Sequence, residues 1–157
     1  MGGRVMNEPT LRPCRYEDLI RVHALEEASF ADSAYRIIDF GYFVERAGDG
    51  FIVAEEGGRL LGYVIAIDNG EEGMIASIAV SPESRGKGVG EALMIAAVDN
   101  LAKDERILLL VDSNNAAAIS LYHKFSFRET GRVFQEYYRT GANAIEMVKS
   151  GGIKNGA

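Results

Sequence analysis

Tryptophan is absent from this chain of 157 residues, and cysteine occurs once, as Cys14. A lone cysteine excludes an internal disulfide and a multi-cysteine zinc site; no metal is expected. Basic residues are outnumbered, 17 Lys+Arg against 23 Asp+Glu, for a net charge of -6. The clustered Lys and Arg of a nucleic-acid or membrane footprint are therefore missing, and neither partner is expected. A positively charged substrate such as an amine suits the acidic balance. No run approaches the ~20 apolar residues of a membrane helix. Met1 to Thr10 has no apolar signal-peptide core, so the expected location is cytoplasmic.

The composition is that of a soluble globular chain, 47% hydrophobic and 25% charged. The length suits one domain, expected over residues 9–149, with Gly-rich polar tails at 1–8 and 150–157 expected to be flexible. Leu11 to Pro13 reads as a short strand. Leu19, Val22 and Leu25 recur at helical spacing and predict a helix from Tyr16 to Ala28. Ser33 to Arg46 reads as a second helix. Phe51–Glu56 and Leu60–Ile67 flank Gly57-Gly58, a turn pair that adopts positive φ without a Cβ clash, and so form a hairpin. Met74–Val80 is a third sheet strand. Glu91–Lys103 is a helix with Leu93, Met94, Ala97, Val98 and Leu101 on one face. Arg106–Val111 is a near-continuous apolar run, expected to be a strand buried on both faces. Ala116–Lys124 is a helix. Phe127–Gly131 and Ala144–Lys149 are the last strands, joined by residues 132–143. This order implies an α/β fold, a mixed sheet with helices on both faces.

The segment Ser81-Pro82-Glu83-Ser84-Arg85-Gly86-Lys87-Gly88-Val89-Gly90-Glu91 lies between a strand and a helix. Three alternate glycines let backbone approach a ligand closely. The first N–H groups of the following helix are unpaired, and its dipole is positive there. With Arg85 and Lys87 added, the sum is an anion site suited to phosphate or pyrophosphate. A Walker loop does not fit, because Gly88 follows Lys87 and Ser81 stands where the first glycine belongs. A dinucleotide fingerprint does not fit, because Glu91 takes its sixth position.

Ile75 to Pro82 leading into Arg85-Gly86-Lys87-Gly88-Val89-Gly90 resembles the acetyl-CoA motif of the GNAT superfamily of N-acetyltransferases. Asn115-Ala116-Ala117-Ala118-Ile119-Ser120-Leu121-Tyr122-His123-Lys124-Phe125-Ser126-Phe127 is similar to the superfamily's Asn-x-x-Ala-x-x-Leu-Tyr-x-x-x-Gly-Phe segment. Leu11-Arg12-Pro13 with Glu17-Asp18-Leu19 is similar to the superfamily's usual start, and Tyr137-Tyr138 and Ala144 to Met147 resemble the branch that acetylates ribosomal-protein alanine and protein N-termini. The match runs from Leu11 to Lys149. It implies a mostly antiparallel GNAT sheet and direct acetyl transfer from acetyl-CoA to a primary amine in a ternary complex, with a peptide or protein N-terminus as acceptor. The alternatives are a small-molecule amine acetyltransferase and a CoA-binding sensor without turnover. Either a monomer or a homodimer is compatible.

By the same resemblance, Ile78, Ala79 and Val80 offer main-chain groups to the pantetheine arm. Arg85, Gly86, Lys87, Gly88, Val89, Gly90 and Glu91 wrap the pyrophosphate. Asn115, Ala118, Tyr122 and Lys124 complete the cofactor set, with Tyr122 the catalytic acid that protonates the leaving thiolate. Glu27, Phe30, Tyr35, Tyr137 and Tyr138 are acceptor-side candidates. Glu26, Glu27, Asp32 and Asp39 read as an exposed acidic helix face. Leu110 stands where the related branch often carries an acidic residue or His, so the base is missing; Glu27, Glu72 and Glu136 remain as carboxylates that could act through water. Asp112 stands where that branch commonly has Arg. Ser126 replaces the glycine of the Gly-Phe pair. Cys14 with His23 or His123 would be a Cys–His nucleophile pair, but no third orienting group is implied.

Overall fold

The computed structural model describes residues 9–150. The strands are β1 (Thr10–Pro13), β2 (Phe51–Glu56), β3 (Arg59–Asp68), β4 (Glu72–Val80), β5 (Arg106–Asp112), β6 (Arg128–Phe134) and β7 (Ala144–Ser150). The helices are α1 (Leu19–Phe30), α2 (Ile37–Ala47), α3 (Val89–Asn100) and α4 (Ala116–Lys124). They build one seven-stranded sheet in the order β1-β2-β3-β4-β5-β7-β6. Only β4 and β5 are parallel; every other neighbouring pair is antiparallel. The fold is the mixed, mostly antiparallel α/β arrangement expected of a GNAT sheet.

The elements differ from expectation at their ends. Tyr16–Asp18 is a short 3-10 turn ahead of α1. Ala31–Ser33 is another, and α2 starts at Ile37 rather than Ser33. The Asp39 carboxylate accepts the Arg36 backbone N–H at 2.9 Å, which marks that start. Helix α3 begins at Val89 because Gly88, at φ +85°, turns the chain into it. Strand β6 continues to Phe134, so the connection to β7 spans 135–143. Ser150, expected in a tail, is the last residue of β7 and pairs with Arg106. The expectation of flexible tails otherwise concerns residues 1–8 and 151–157, which lie outside the described residues. Among the described residues, no helix is long and apolar enough to cross a membrane.

Two cores lie on opposite faces. Helices α3 and α4 cover one face, where Leu93, Met94, Ala97, Leu101 and Tyr122 pack on Val64, Ile75, Leu109, Val111 and Met147. Helices α1 and α2 cover the other, where Val22, Leu25, Phe40 and Phe43 pack on Phe51, Val53, Tyr63 and Ile65. That second core draws its strand residues from β2, β3 and β4 alone. Strand β5 is therefore not buried on both faces, contrary to expectation. Ile107, Leu109 and Val111 are buried, while Leu108, Leu110 and Asp112 are only half-buried. The apolar run is continuous because its second face lines a cleft.

Candidate active site

The parallel ladder is short. Its register runs from Glu72–Arg106 to Ile75–Leu109 and then stops. Beyond Ile75, β4 keeps only β3 beside it, through Ser77, Ile78, Ala79 and Val80. A strand edge without a neighbour presents unpaired main-chain groups. Ile78 and Val80 are half-buried on the α3–α4 side, and Ala79 is buried on the other.

The chain leaves β4 through Pro82–Ser84 and reaches the glycines. Gly86 (φ +76°) and Gly88 (φ +85°) both adopt left-handed backbone, with nothing within 4 Å of where a Cβ would stand. Open space and bare backbone together make a concave lip over the first turn of α3, whose N–H groups point outward. Gly90 differs from the other two. It lies inside α3, where an added Cβ would only touch Val80 (3.6 Å) and Leu121 (3.7 Å). Val89 is buried and anchors the turn, while Arg85 and Lys87 are exposed. The Arg85 Nε donates to the Val80 carbonyl at 3.2 Å, and Lys124 is paired with Glu91 at 2.6 Å. That pair ties α4 to the start of α3. The lip has the shape and polarity that a pyrophosphate needs.

Helix α4 opens with Asn115 as its cap. The Asn115 Oδ1 accepts the Ala118 N–H at 3.1 Å, which leaves the amide N–H2 free to donate elsewhere. Tyr122 sits two turns on, 6% exposed, its ring 6.1 Å from Phe127. Burial first, and the Tyr138 phenol second, push its hydroxyl well above the ordinary tyrosine value. The phenol is therefore protonated at neutral pH, the state a proton donor needs.

On the opposite face an aromatic wall runs along the open half of the sheet. Phe134 and Tyr137 are 6.0 Å apart, and Tyr137 and Tyr138 meet edge-on at 5.0 Å. Burial raises Tyr138 to about 12, with Tyr137, Asp112 and Tyr35 adding to it. Tyr35 is likewise raised to about 12, by burial, then by Tyr137 and Glu26. The Arg139 N–H donates to the Ser33 Oγ at 3.2 Å, so the 135–143 loop touches the α1–α2 connection. The expected acceptor-side residues Tyr35, Tyr137 and Tyr138 are thus brought together. Phe30 is half-buried against the second core. Glu27 is exposed, and its carboxylate lies 3.6 Å from the His23 ring in an i,i+4 pair. Below the wall, a cavity of about 200 Å³ is lined by Met74, Leu108, Leu110, Phe134, Glu72 and Glu146 among others.

Glu26 corrects the expectation of an exposed acidic face. It is 2% exposed. Its Oε1 accepts from the Tyr63 hydroxyl and from Ser77 Oγ at 3.1 Å, and its Oε2 accepts the Tyr35 N–H at 3.0 Å. A buried carboxylate is tolerated because those donors satisfy it. The spacing Leu19, Val22, Leu25, Glu26 places it on the buried side of α1, a signal already present in the sequence. The Cys–His pair does not exist: Cys14 is buried, its thiol raised to about 12 chiefly by burial, while His23 and His123 stand beside Glu27 and Glu129.

The Acetyltransferase (GNAT) family model matches residues 16–127. The chain belongs to the GNAT acetyltransferase family. It is 30% identical over 142 residues to an uncharacterized N-acetyltransferase of Methanocaldococcus jannaschii, covering 88% of this chain and 90% of the relative. It is 28% identical over 155 residues to an N-alpha-acetyltransferase of Saccharolobus solfataricus, covering 89% and 92%. Among solved structures, Ard1 from Thermoplasma volcanium superposes with a TM-score of 0.87 at 24% identity, covering 93% of this chain and 99% of that one, a likeness of fold. The lip at Gly86–Gly88 and the end of the β4–β5 ladder thus belong to a GNAT N-acetyltransferase.

Proposed function

We propose that this GNAT enzyme transfers acetyl from acetyl-CoA directly to a peptide or protein N-terminus held in the same complex. The observation that carries the reading is the pairing of two openings on either side of one gap. The glycine lip opens on the α3–α4 side, and the tyrosine-walled cleft opens on the α1–α2 side. A thioester threaded past the end of the β4–β5 ladder meets Tyr122 at its sulfur and the cleft at its carbonyl.

In this reading Ile78 to Val80 pair with the pantetheine amides as a strand pairs with a neighbour. A main-chain N–H of that edge stabilises the developing oxyanion. Gly86, Gly88 and the first N–H groups of α3 receive the pyrophosphate, and the Asn115 amide donates to the cofactor chain. Tyr122 gives its proton to the thiolate. The acceptor is an α-amine because its ordinary pKa, near ~8, makes its proton far easier to remove than that of a lysine near ~10.4. The cleft is a trough rather than a closed cavity, with Tyr137 53% exposed, so a polypeptide can continue out of it.

The test is release of free thiol from acetyl-CoA across a panel of N-terminal peptides and small amines. Peptides turn over in this reading. Turnover of small amines alone replaces the acceptor, and binding without turnover makes the chain a sensor. Gly88→Glu, which strains a positive φ and puts a charge in the lip, abolishes acetyl-CoA binding by calorimetry. Normal binding by that variant removes the lip from the site. Tyr122→Phe lowers turnover by about 10²-fold or more with acetyl-CoA affinity retained.

A further inference from the structure

Acetyl transfer to an amine requires a proton acceptor on the cleft side, and Leu110 supplies none. Strand β5 is paired to β7 with Leu110 directly opposite Glu146. Directly opposed residues of an antiparallel pair point to the same face with Cβ atoms about 5 Å apart. Both residues line the cavity beneath the tyrosine wall. We infer that Glu146 is the proton acceptor of this enzyme, placed on β7 instead of β5. The inference rests on the proposed function.

The surroundings of Glu146 favour this role. Its side chain is 13% exposed, so it is partly dried but still in reach of solvent. One oxygen accepts the Thr130 hydroxyl at 2.9 Å, which fixes the carboxylate against the sheet. The other is 3.6 Å from the Arg132 guanidinium, which itself lies over the Phe134 ring. From β5 the carboxylate faces the apolar Leu108 and Leu110, with the Asp112 carboxyl one pleat further along. From β4 comes Glu72, which is already paired with Arg106, and Asn69 precedes it at the cavity edge. Of the two carboxylates that line this cavity, Glu72 is taken up by Arg106, whereas Glu146 keeps one hydrogen bond, from Thr130, and a longer 3.6 Å contact with Arg132. Glu27 is exposed on the outer side of α1, and Glu136 is exposed on the 135–143 loop.

The bound ammonium gives one N–H proton to the Glu146 carboxylate, directly or through one water, and becomes a neutral amine. Its lone pair forms the C–N bond to the thioester carbonyl carbon, and collapse breaks the C–S bond. Tyr122 protonates the departing thiolate, and the excess proton on the new amide nitrogen restores the phenol through water. Glu146 releases its proton to solvent, so one proton leaves per acetyl group moved.

The experiment compares kcat/KM against pH for the wild-type chain and Glu146→Gln, using an N-terminal peptide that the wild type accepts. With an internal acceptor the bound ammonium is a competent substrate, and the wild-type profile is flat from pH 6 to 8. In Glu146→Gln only the free amine reacts. The rate then rises tenfold per pH unit up to the α-amine value near ~8, a deficit of about a hundredfold at pH 6 that closes above pH 8. Acetyl-CoA affinity is unchanged. Adding Leu110→Glu to Glu146→Gln returns a carboxylate to the same cavity and restores the flat profile, which a purely structural glutamate would not allow. If Glu146→Gln does not fold, the exchange Leu110→Glu with Glu146→Leu carries the same test, and a rising profile there overturns the inference. Identical flat profiles for wild type and Glu146→Gln overturn the role of Glu146 and leave the proposed function standing. A wild-type chain that acetylates no amine overturns both.

Discussion

The two halves of the sheet are built differently. From β1 to β4 both faces are covered, by α1 and α2 on one side and α3 on the other. There Phe40, Phe51, Val53, Tyr63 and Ile65 are fully buried. From β5 to β7 only the α3–α4 face is covered, and the other face carries Leu108, Leu110, Glu146 and the aromatic wall, all partly open. The closed half is a rigid platform that holds the unpaired edge of β4 in place. The open half leaves room for a second reactant. A GNAT enzyme of this size separates support from access by where it puts two helices.

The sharpest way to break that comparison is to hollow out each half in turn. Phe40 is 0% exposed, and its ring centroid lies 6.1 Å from those of Tyr35 and Tyr63 and 6.2 Å from those of Phe43 and Phe51. Phe40→Ala costs about 3–5 kcal/mol of unfolding free energy, because a cavity is left that the sheet cannot collapse into. Leu110→Ala, in the open half, costs roughly 1 kcal/mol, since part of that side chain already faces water. Urea unfolding of the two variants gives both numbers. Equal losses would mean that the β5–β7 half is as tightly packed as the other.

How far the sequence reached follows the same division. The hairpin over Gly57-Gly58, the buried face of α3 and the whole of α4 were legible, because local periodicity and turn chemistry decide them. The glycine lip was legible for the same reason: Gly86 and Gly88 adopt positive φ. Strand β5 was not, because a continuous apolar run looks the same whether its second face meets a helix or a cleft. The burial of Glu26 is hidden although its helical spacing is visible, because the donors that make a buried carboxylate tolerable stand 37 and 51 residues away in the chain. The placement of Glu146 opposite Leu110 was not legible, since only the β5–β7 register sets it there.

The seam between the halves gives a smaller, pH-dependent effect. Asp104, in the turn before β5, is 1% exposed, and neither of its oxygens receives a hydrogen-bond donor. Burial, then the neighbouring Asp68, raises its pKa, whereas Asp68 is lowered, first by the Gly70 backbone N–H and then by Lys103. The folded chain therefore holds the Asp104 proton longer than the unfolded chain does. For this group stability is fully present below the ordinary aspartate value and is lost as pH rises through the raised one. Asp104→Asn removes the titration and supplies an N–H2 for Asp68. Its melting temperature relative to wild type increases between pH 4 and pH 7, by an amount that reflects about 1–2 kcal/mol. A difference independent of pH would show that the Asp104 carboxyl ionises as freely folded as unfolded.

The smallest effect lies at the turn from α4 into the open half. Ser126 holds φ +70°, a left-handed conformation that costs a residue with a Cβ roughly 1 kcal/mol relative to glycine. The chain is forced into it because the Ser126 N–H donates to the His123 carbonyl at 3.0 Å and the Phe127 N–H to the Tyr122 carbonyl at 3.1 Å. Those two bonds close α4 and drive Phe127, fully buried, against the Tyr122 ring. Ser126→Gly relieves the strain but also frees the unfolded chain, and the second effect offsets part of the first. The expected gain is therefore below about 1 kcal/mol, a rise of roughly 1–3 °C for a domain of this size, with turnover unchanged because the phenol does not move. A fall in melting temperature would show that the closed end of α4 tolerates the left-handed serine without strain.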